Sequence, residues 1–396
     1  MASEAGRPTV LQVLPALDGG GVERGTIEIT EALTAQGWGA VVVSEGGRLV
    51  PSVTRAGGRH ITLPLGTKTP WGIWRNASRL VELMRGEGID LVHARSRAPA
   101  WSAWIACRRT GVPFVTTYHG AYSEKTPGKR RYNSIMARGA RVIAASGFIA
   151  DLLRTQHHVP EDRLRLIPRG IDPAAFDPAA VGGPRVARLA QAWGLPDDAR
   201  IILLPARVSR WKGQSVLIAA LGLLKRPDLC VVLVGSDQGR QAYVRSLLDQ
   251  AASLGVTSQL RMVGHCADMA AALMLADVVV SASTEPEAFG RAVIEAQAMA
   301  QVVIAAGHGG AAETVEDGDT GLLVPPGDAL ALADAITRVL AMPEDTRAAM
   351  GARARASVLR DYTVQAMQQA TMAVYEEVLA DSAALSAISY ETSRHS

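Results

Sequence analysis

Cysteine is nearly absent: Cys107, Cys230 and Cys266 are the three in 396 residues. Odd in number, widely spread and without a CxxC or a nearby histidine pair, they exclude a disulfide framework and fit a reducing compartment. Aromatics make up only 5% of the chain, so alanine, valine and leucine must fill any core. Long hydrophobic runs are missing as well. The longest notable uncharged stretch, 296–312, has 17 residues and contains Gly307, His308, Gly309 and Gly310, which argues against a membrane-spanning helix. The N-terminus, MASEAGRPTVLQVLPAL, shows no basic stretch followed by an apolar core, so no secretory signal is expected and the protein is read as cytoplasmic.

What is present is a globular composition, 48% hydrophobic and 20% charged. The length exceeds one ordinary core, so two large domains are expected. Net charge is only +3, but it is unevenly spread: residues 60–141 hold fourteen Lys and Arg against four Asp and Glu. Such a surface suits anionic lipid, a polyanion or a phosphorylated ligand, with a plain solvated face as the alternative. Nucleic acid is not expected, because no recognition module or aromatic platform accompanies the charge.

Short apolar runs alternate with helical patterns. In the first half they are 9–17, 40–44, 61–65, 90–96, 113–119 and 141–146; after Asp172 they restart at 200–206, 230–236, 259–264, 277–283 and 302–307. Runs apolar throughout are buried on both faces, the mark of parallel sheets covered by helices. The expected fold is α/β, two consecutive doubly wound units. The Pro- and Gly-rich segment 171–185 reads as the linker between them. Residues 362–383 read as a long helix, followed by a polar, disordered tail.

Ligands of open parallel sheets bind beyond the carboxyl ends of the strands, where helix N-termini present backbone N–H groups. Four segments occupy such places. DGGGVER (18–24) puts Gly20 and Gly21 after the first strand, as a phosphate approach or simply a tight turn. ARVSRWKGQ (206–214) puts Arg207 and Lys212 in one loop ahead of a helix, which suits a diphosphate clamp better than random surface charge. TEPEAFGRAVIEAQAM (284–299) places Glu287 in a loop and Glu295 about one and a half turns into the next helix, with Phe289 and Gly290 between; a salt-bridged helix surface is the plain alternative. PFVTTYHGAY (113–122) ends a strand on His119, and DLVHARSRAP holds His93 similarly. Either histidine alone is more often a structural residue than a functional one.

Taken together, the Gly20-Gly21-Val22-Glu23 turn, Arg207 with Lys212, and Glu287-x7-Glu295 resemble the retaining glycosyltransferases of family 4, the GT-B type with two Rossmann-like domains facing across a cleft. VEDGDTGLLVPPGD (315–328) is close to the same pattern, while HARSRAPAW and EAQAM resemble bacterial lipopolysaccharide-core and envelope-polysaccharide mannosyltransferases. The resemblance implies an acceptor domain at 1–172, a nucleotide-sugar donor domain at 173–360, and a terminal segment 361–396 whose helix packs back on the first domain. It implies that Arg207 and Lys212 hold the donor diphosphate and that Glu287 binds sugar hydroxyls. Phe289 and Gly290 amides would fix sugar and phosphate, and Glu295 would meet the ribose. Gly20 and Gly21 would admit the phosphates, His119 would contact the sugar near the reacting carbon, and Val263, Gly264 and His265 would contact the base.

The implied activity is hexose transfer from GDP-mannose, or next a UDP-sugar, to an envelope saccharide or lipid-linked acceptor. One departure stands out: Ala300-Gln301-Val302 replaces the family's Gly-x-Pro. No metal and no cofactor are expected, since Asp317-Gly318-Asp319 reads as a turn and cations with helix dipoles can serve a diphosphate. Trp71, Trp74 and Tyr132 lie among the cations of 67–76 and 124–133, a mixture suited to an anionic membrane surface on the cytoplasmic side. The competing readings are a sugar-nucleotide epimerase of the same fold, short of acids in the first half, and a sugar-nucleotide binding protein without turnover.

Overall fold

The computed structural model describes residues 6–122 and 126–394, with side chains through 385. Residues 124 and 125 of the basic 124–133 segment, and the last two of the expected tail, lie outside the described residues. The chain divides into two units, Met1–Arg169 with Gln365–Ser396, and Gly170–Val364.

The first unit carries seven strands: β1 (Thr9–Val13), β2 (Gly39–Ser44), β3 (Arg59–Thr62), β4 (Leu91–Ala94), β5 (Phe114–Tyr118), β6 (Arg141–Ala144) and β7 (Leu164–Leu166). They pair in parallel in the order β3-β2-β1-β4-β5-β6-β7. The central strands β4 and β5 are buried at every residue, and the edge strand β3 is not. That matches sequence runs apolar throughout at the centre and mixed at the rim. β7, only Leu164-Arg165-Leu166, has too short an apolar signal to be read from sequence.

The helix Val364–Arg394 covers this unit. Its Glu377 accepts from Arg141 Nε at 3.0 Å and Arg165 Nε at 3.1 Å. Its backbone remains helical through Arg394, which corrects the expected polar, disordered tail.

The second unit holds β8 (Arg200–Pro205), β9 (Leu229–Val234), β10 (Leu260–Gly264), β11 (Val278–Ser281), β12 (Val303–Ala306) and β13 (Leu322–Val324), all parallel, in the order β10-β9-β8-β11-β12-β13. Ile202, Leu204, Val231, Val278 and Ile304 form the core with Ile218, Leu221 and Ile336 of the covering helices.

The 171–185 segment is not a free linker. Its backbone bridges Ile171 to Thr363, Asp177 binds Arg355 at 3.0 Å, and Arg185 binds Asp268 at 2.6 Å. Proline content signalled irregular backbone, not separation from the unit.

In each sheet the strand order reverses once, between β1 and β4 and between β8 and β11. These switch points open a crevice at the carboxyl ends of the strands, and the chemistry-bearing residues follow those strands.

Candidate functional site

In the second unit, the loops after β8 and β11 dock on each other. Gly213 makes this possible: its φ is +75, and a Cβ there would stand 1.8 Å from the Ala282 carbonyl oxygen. The Thr284 amide donates to the Trp211 carbonyl at 2.8 Å. The docked loops bring Lys212 Nζ within 2.6 Å of Glu287 Oε2, with side chains only 15% and 12% exposed. Lys212 also lies 4.3 Å above the Trp211 ring, a favourable place for a cation.

Glu287 is held from three sides. The Ser283 hydroxyl donates to its other carboxylate oxygen, and the Gly310 amide donates to its carbonyl at 2.8 Å. A Cβ on Gly309 would come within 2.6 Å of that same carbonyl oxygen. His308 Nε2 lies 2.8 Å from the Ser283 carbonyl oxygen, so that nitrogen carries the proton. Sequence reading missed Ser283 and His308; the glycines flanking His308 were the available signal.

Arg207 is exposed, and its guanidinium has no hydrogen-bond or ion-pair partner among the described residues. Its loop is fastened from beneath, where Gln214 Nε2 donates to the Arg207 carbonyl at 2.9 Å. Gly235 packs where a Cβ would stand 2.1 Å from the Ala206 carbonyl oxygen. The Gly235 amide in turn donates to the Gly264 carbonyl at 2.7 Å. Val263 and Gly264 thus end β10 and His265 follows it, on the same end of the sheet, with Gly264 and His265 exposed.

Glu295 is the fifth residue of the helix Arg291–Ala298, 7% exposed, and pairs with Arg291 Nε at 3.1 Å. The two glutamates therefore have separate cations. Gly290 precedes the helix at φ +84 against Ala311, and the Phe289 ring is buried beside Tyr362. Phe289 can thus offer only its backbone to a ligand.

The helix ends with the Gln301 amide bonded to the Ala296 carbonyl and the Ala300 amide to the Gln297 carbonyl. This C-terminal motif needs a left-handed residue. Ala300 fills it at φ 55, where the family pattern has glycine.

In the first unit, Gly20 caps the helix Gly21–Ala35. A Cβ on Gly21 would meet no atom within 4 Å, so local packing does not demand glycine there. His93 is fully buried, with Nδ1 2.6 Å from Tyr375 Oη and Nε2 2.7 Å from Thr117 Oγ1. Both nitrogens are occupied, which makes it structural. His119 is half-buried, and its Nδ1 lies 2.7 Å from Arg169 Nη2. Burial first, then the guanidiniums of Arg169 and Arg95, hold its pKa well below the usual histidine range. Arg95, Arg169 and Tyr375 carried no sequence signal.

A separate cavity of about 510 Å³ is lined by Lys68, Arg97, Tyr122, Lys129, Tyr132 and Asn133, with no carboxylate among the described residues of its wall. Arg97 lies 3.8 Å over the Tyr122 ring and donates to Asn133 at 2.7 Å.

Among the described residues, no group of three or more His, Cys, Asp or Glu could hold a metal ion. Asp317 accepts from the Leu323 amide at 2.8 Å and Asp319 from Arg353 at 2.6 Å, so both carboxylates serve a turn. No helix among them is long and apolar enough to cross a membrane.

Two doubly wound units, the second with cations and a carboxylate at its switch point, are the make-up of GT-B glycosyltransferases. Residues 19–175 match the model of Glycosyltransferase Family 4, and residues 186–357 that of Glycosyl transferases group 1. The chain is 31% identical over 312 residues to the D-inositol 3-phosphate glycosyltransferase of Saccharomonospora viridis, covering 74% of this chain and 70% of that one. It is 30% identical to its namesake from Stackebrandtia nassauensis, spanning 66% of this chain and 63% of that one.

Among solved structures, a glycosyltransferase from Rickettsia africae superposes with a TM-score of 0.87 at 36% identity, over 94% of this chain and 99% of its own. Anabaena HepE in complex with UDP-glucose gives 0.81 at 26%, over 93% and 99%. The chain belongs to the glycosyltransferases, a family 4 domain followed by a group 1 domain.

Proposed function

We propose that this protein moves a hexose from a UDP-sugar to a phosphate-bearing acceptor, with retention of anomeric configuration and without a divalent ion. The observation that carries the donor half is the 2.6 Å Lys212–Glu287 pair at the switch point, with Arg207 exposed in the same loop. Lys212 and Arg207 bind the diphosphate and stabilise the charge that grows on it as the C1–O bond breaks. Glu287 accepts from hydroxyls of the transferred sugar, Phe289 and Gly290 offer backbone amides, and Glu295 receives the ribose. Gly20 and Gly21 admit the phosphates, while Val263, Gly264 and His265 meet the base.

The acceptor hydroxyl attacks C1 on the face the nucleotide leaves. Its proton passes to the departing phosphate oxygen, which serves as the base. Retention is what the resemblance to family 4 implies, and a same-face displacement is preferred to a double displacement because no carboxylate nucleophile is identified among the described residues.

The relative bound to UDP-glucose favours uridine over guanosine, which makes GDP-mannose the runner-up donor. The cationic cavity and the relatives named for inositol 3-phosphate favour a phosphate on the acceptor. A second acceptor reading, a lipid-linked envelope saccharide taken at the cytoplasmic leaflet, is favoured by Trp71 and Trp74. They are stacked at 5.6 Å and are 71% and 51% exposed, beside the cationic Lys68 and Arg75.

Thermal shifts with UDP, GDP and ADP test the base, and transfer from the matching sugar nucleotide to inositol phosphates and to lipid-linked saccharides tests the acceptor. Binding without transfer to any acceptor would return the non-catalytic reading. Conversion of the donor to its epimer would return the epimerase.

A further inference from the structure

Two neighbouring strands of the second sheet end side by side: β11 closes at Ser281 and β12 at Ala306, with Ser281 in register with Ala305. Just past these ends stand Ser283 and His308. The half-buried imidazole crosses from one loop to the other, with Nε2 2.8 Å from the Ser283 carbonyl oxygen. A carbonyl only accepts, so the ring donates. The amide of Thr284, in the same peptide group, donates to the Trp211 carbonyl at 2.8 Å. One planar peptide is thereby held at both its poles, by His308 from one side and by the Lys212 loop from the other.

The backbone after His308 grips the same loop farther along. The Gly310 amide donates to the Glu287 carbonyl at 2.8 Å. Gly309, at φ +64, approaches so closely that a Cβ would stand 2.6 Å from that carbonyl oxygen and 2.8 Å from the Glu287 nitrogen. A Cβ on Gly310 would meet the Ala288 carbonyl oxygen at 2.5 Å. Segment 308–310 therefore fastens the loop at Ser283 through a side chain, and at Glu287 and Ala288 through backbone.

Between those points the Ser283 hydroxyl donates to one oxygen of the Glu287 carboxylate, while Lys212 Nζ lies 2.6 Å from the other. The terminal torsion of a glutamate is soft, so these two contacts decide where the carboxylate points. Ser283 is 3% exposed, and its hydroxyl can be aimed only as its own backbone is aimed. We propose that His308 is a positioning residue: by holding the Ser283 carbonyl it sets the Ser283 hydroxyl, and through it the Glu287 carboxylate, for the sugar of the donor. The inference rests on the assignment of Glu287 to sugar hydroxyls in the proposed function.

The test compares wild type, Ser283→Ala, His308→Leu, the double variant and His308→Gln. UDP affinity is measured by titration calorimetry, and kcat and KM by transfer from UDP-glucose. His308→Leu removes the donor and keeps an apolar body in its place. Its kcat, and that of Ser283→Ala, should fall about ten- to hundredfold from misplacement of the carboxylate. UDP should bind both no more weakly than wild type, because Lys212 and Arg207 are untouched. In the double variant the losses should not multiply, since both residues act through one carboxylate. His308→Gln, whose amide reaches the place of Nε2, should recover most of kcat.

Losses that multiply, a His308→Leu rate equal to that of wild type, or UDP affinity that falls in step with rate would each overturn the inference. If His308→Leu fails to fold, His308→Gln against His308→Asn decides: the asparagine amide falls short of Nε2, and equal rates overturn the inference. A wild type that transfers no sugar removes the reading on which this rests. A wild type that transfers while His308→Leu keeps the full rate removes the inference alone.

Discussion

The Lys212–Glu287 pair leads to opposite expectations for its two members. In the ligand-free chain the ammonium is engaged 2.6 Å from the carboxylate, so a diphosphate must draw it away or share it. Exposed pairs contribute about 0.2–1 kcal/mol, and breaking a buried pair costs about 3–5 kcal/mol. Side-chain exposures of 15% and 12% place this pair between those limits, and about 2 kcal/mol is a fair figure for breaking it.

Glu287→Gln keeps an acceptor for the Ser283 hydroxyl, releases Lys212 and removes a negative charge from beside the diphosphate. If about 1 kcal/mol of the freed interaction reaches the ligand, UDP should bind about fivefold tighter. Transfer should nonetheless fall about a hundredfold, because the sugar loses a charge-assisted hydrogen bond. Lys212→Met should weaken UDP at least tenfold, since a hydrogen bond to a charged group is worth about 1.5–3 kcal/mol. Titration calorimetry with UDP alone, beside a transfer assay, separates these effects. Glu287→Gln binding UDP more weakly than wild type, or Lys212→Met binding it equally well, would refute the reasoning.

Transfer should survive EDTA, because Lys212 and Arg207 are assigned the charge that a metal would neutralise; loss on chelation with recovery in magnesium or manganese would count against that assignment. Ala300→Gly should stabilise the chain by about 0.5–1 kcal/mol by relieving a left-handed alanine at φ 55. This should appear as a melting temperature raised by about 2–3 °C, and a lower melting temperature would contradict it. Anionic vesicles should co-sediment the protein at low salt, and Trp71→Ala with Trp74→Ala, or Lys129, Arg130 and Arg131→Ala together, should weaken this, each basic side chain contributing about 1 kcal/mol. A wild-type protein indifferent to such vesicles would remove the membrane acceptor and leave the transferase.

The parallel sheets were legible because central strands buried on both faces are written as unbroken apolar runs, and because Gly213 and Lys212 directly follow such a run. Local sequence also carried the glutamates, since Glu287 and Glu295 share one loop and its helix. What it could not carry were contacts between distant segments. Tyr375 reaches His93 across 282 positions, and Arg169 reaches His119 across 50. Neither arginine nor tyrosine differs in sequence from a surface residue. The prolines of 171–185 misled for a related reason: they mark irregular backbone whether or not it is packed, and only the Arg355–Asp177 and Arg185–Asp268 pairs reveal that it is. Ala300 marks the reverse case, in which the departure from Gly-x-Pro was visible but its strain needed the backbone angle.

The central claim is that the loops after β8 and β11 seat the diphosphate of a sugar nucleotide during transfer. Arg207→Ala tests it most directly, because that guanidinium is exposed and has no partner among the described residues, so its loss should leave the fold alone. The measurement is transfer from UDP-glucose by wild type and variant side by side, with melting curves for both. The account predicts a wild type that transfers and a variant slowed a hundredfold or more with an unchanged melting temperature. A variant that transfers within a few-fold of wild type would contradict it.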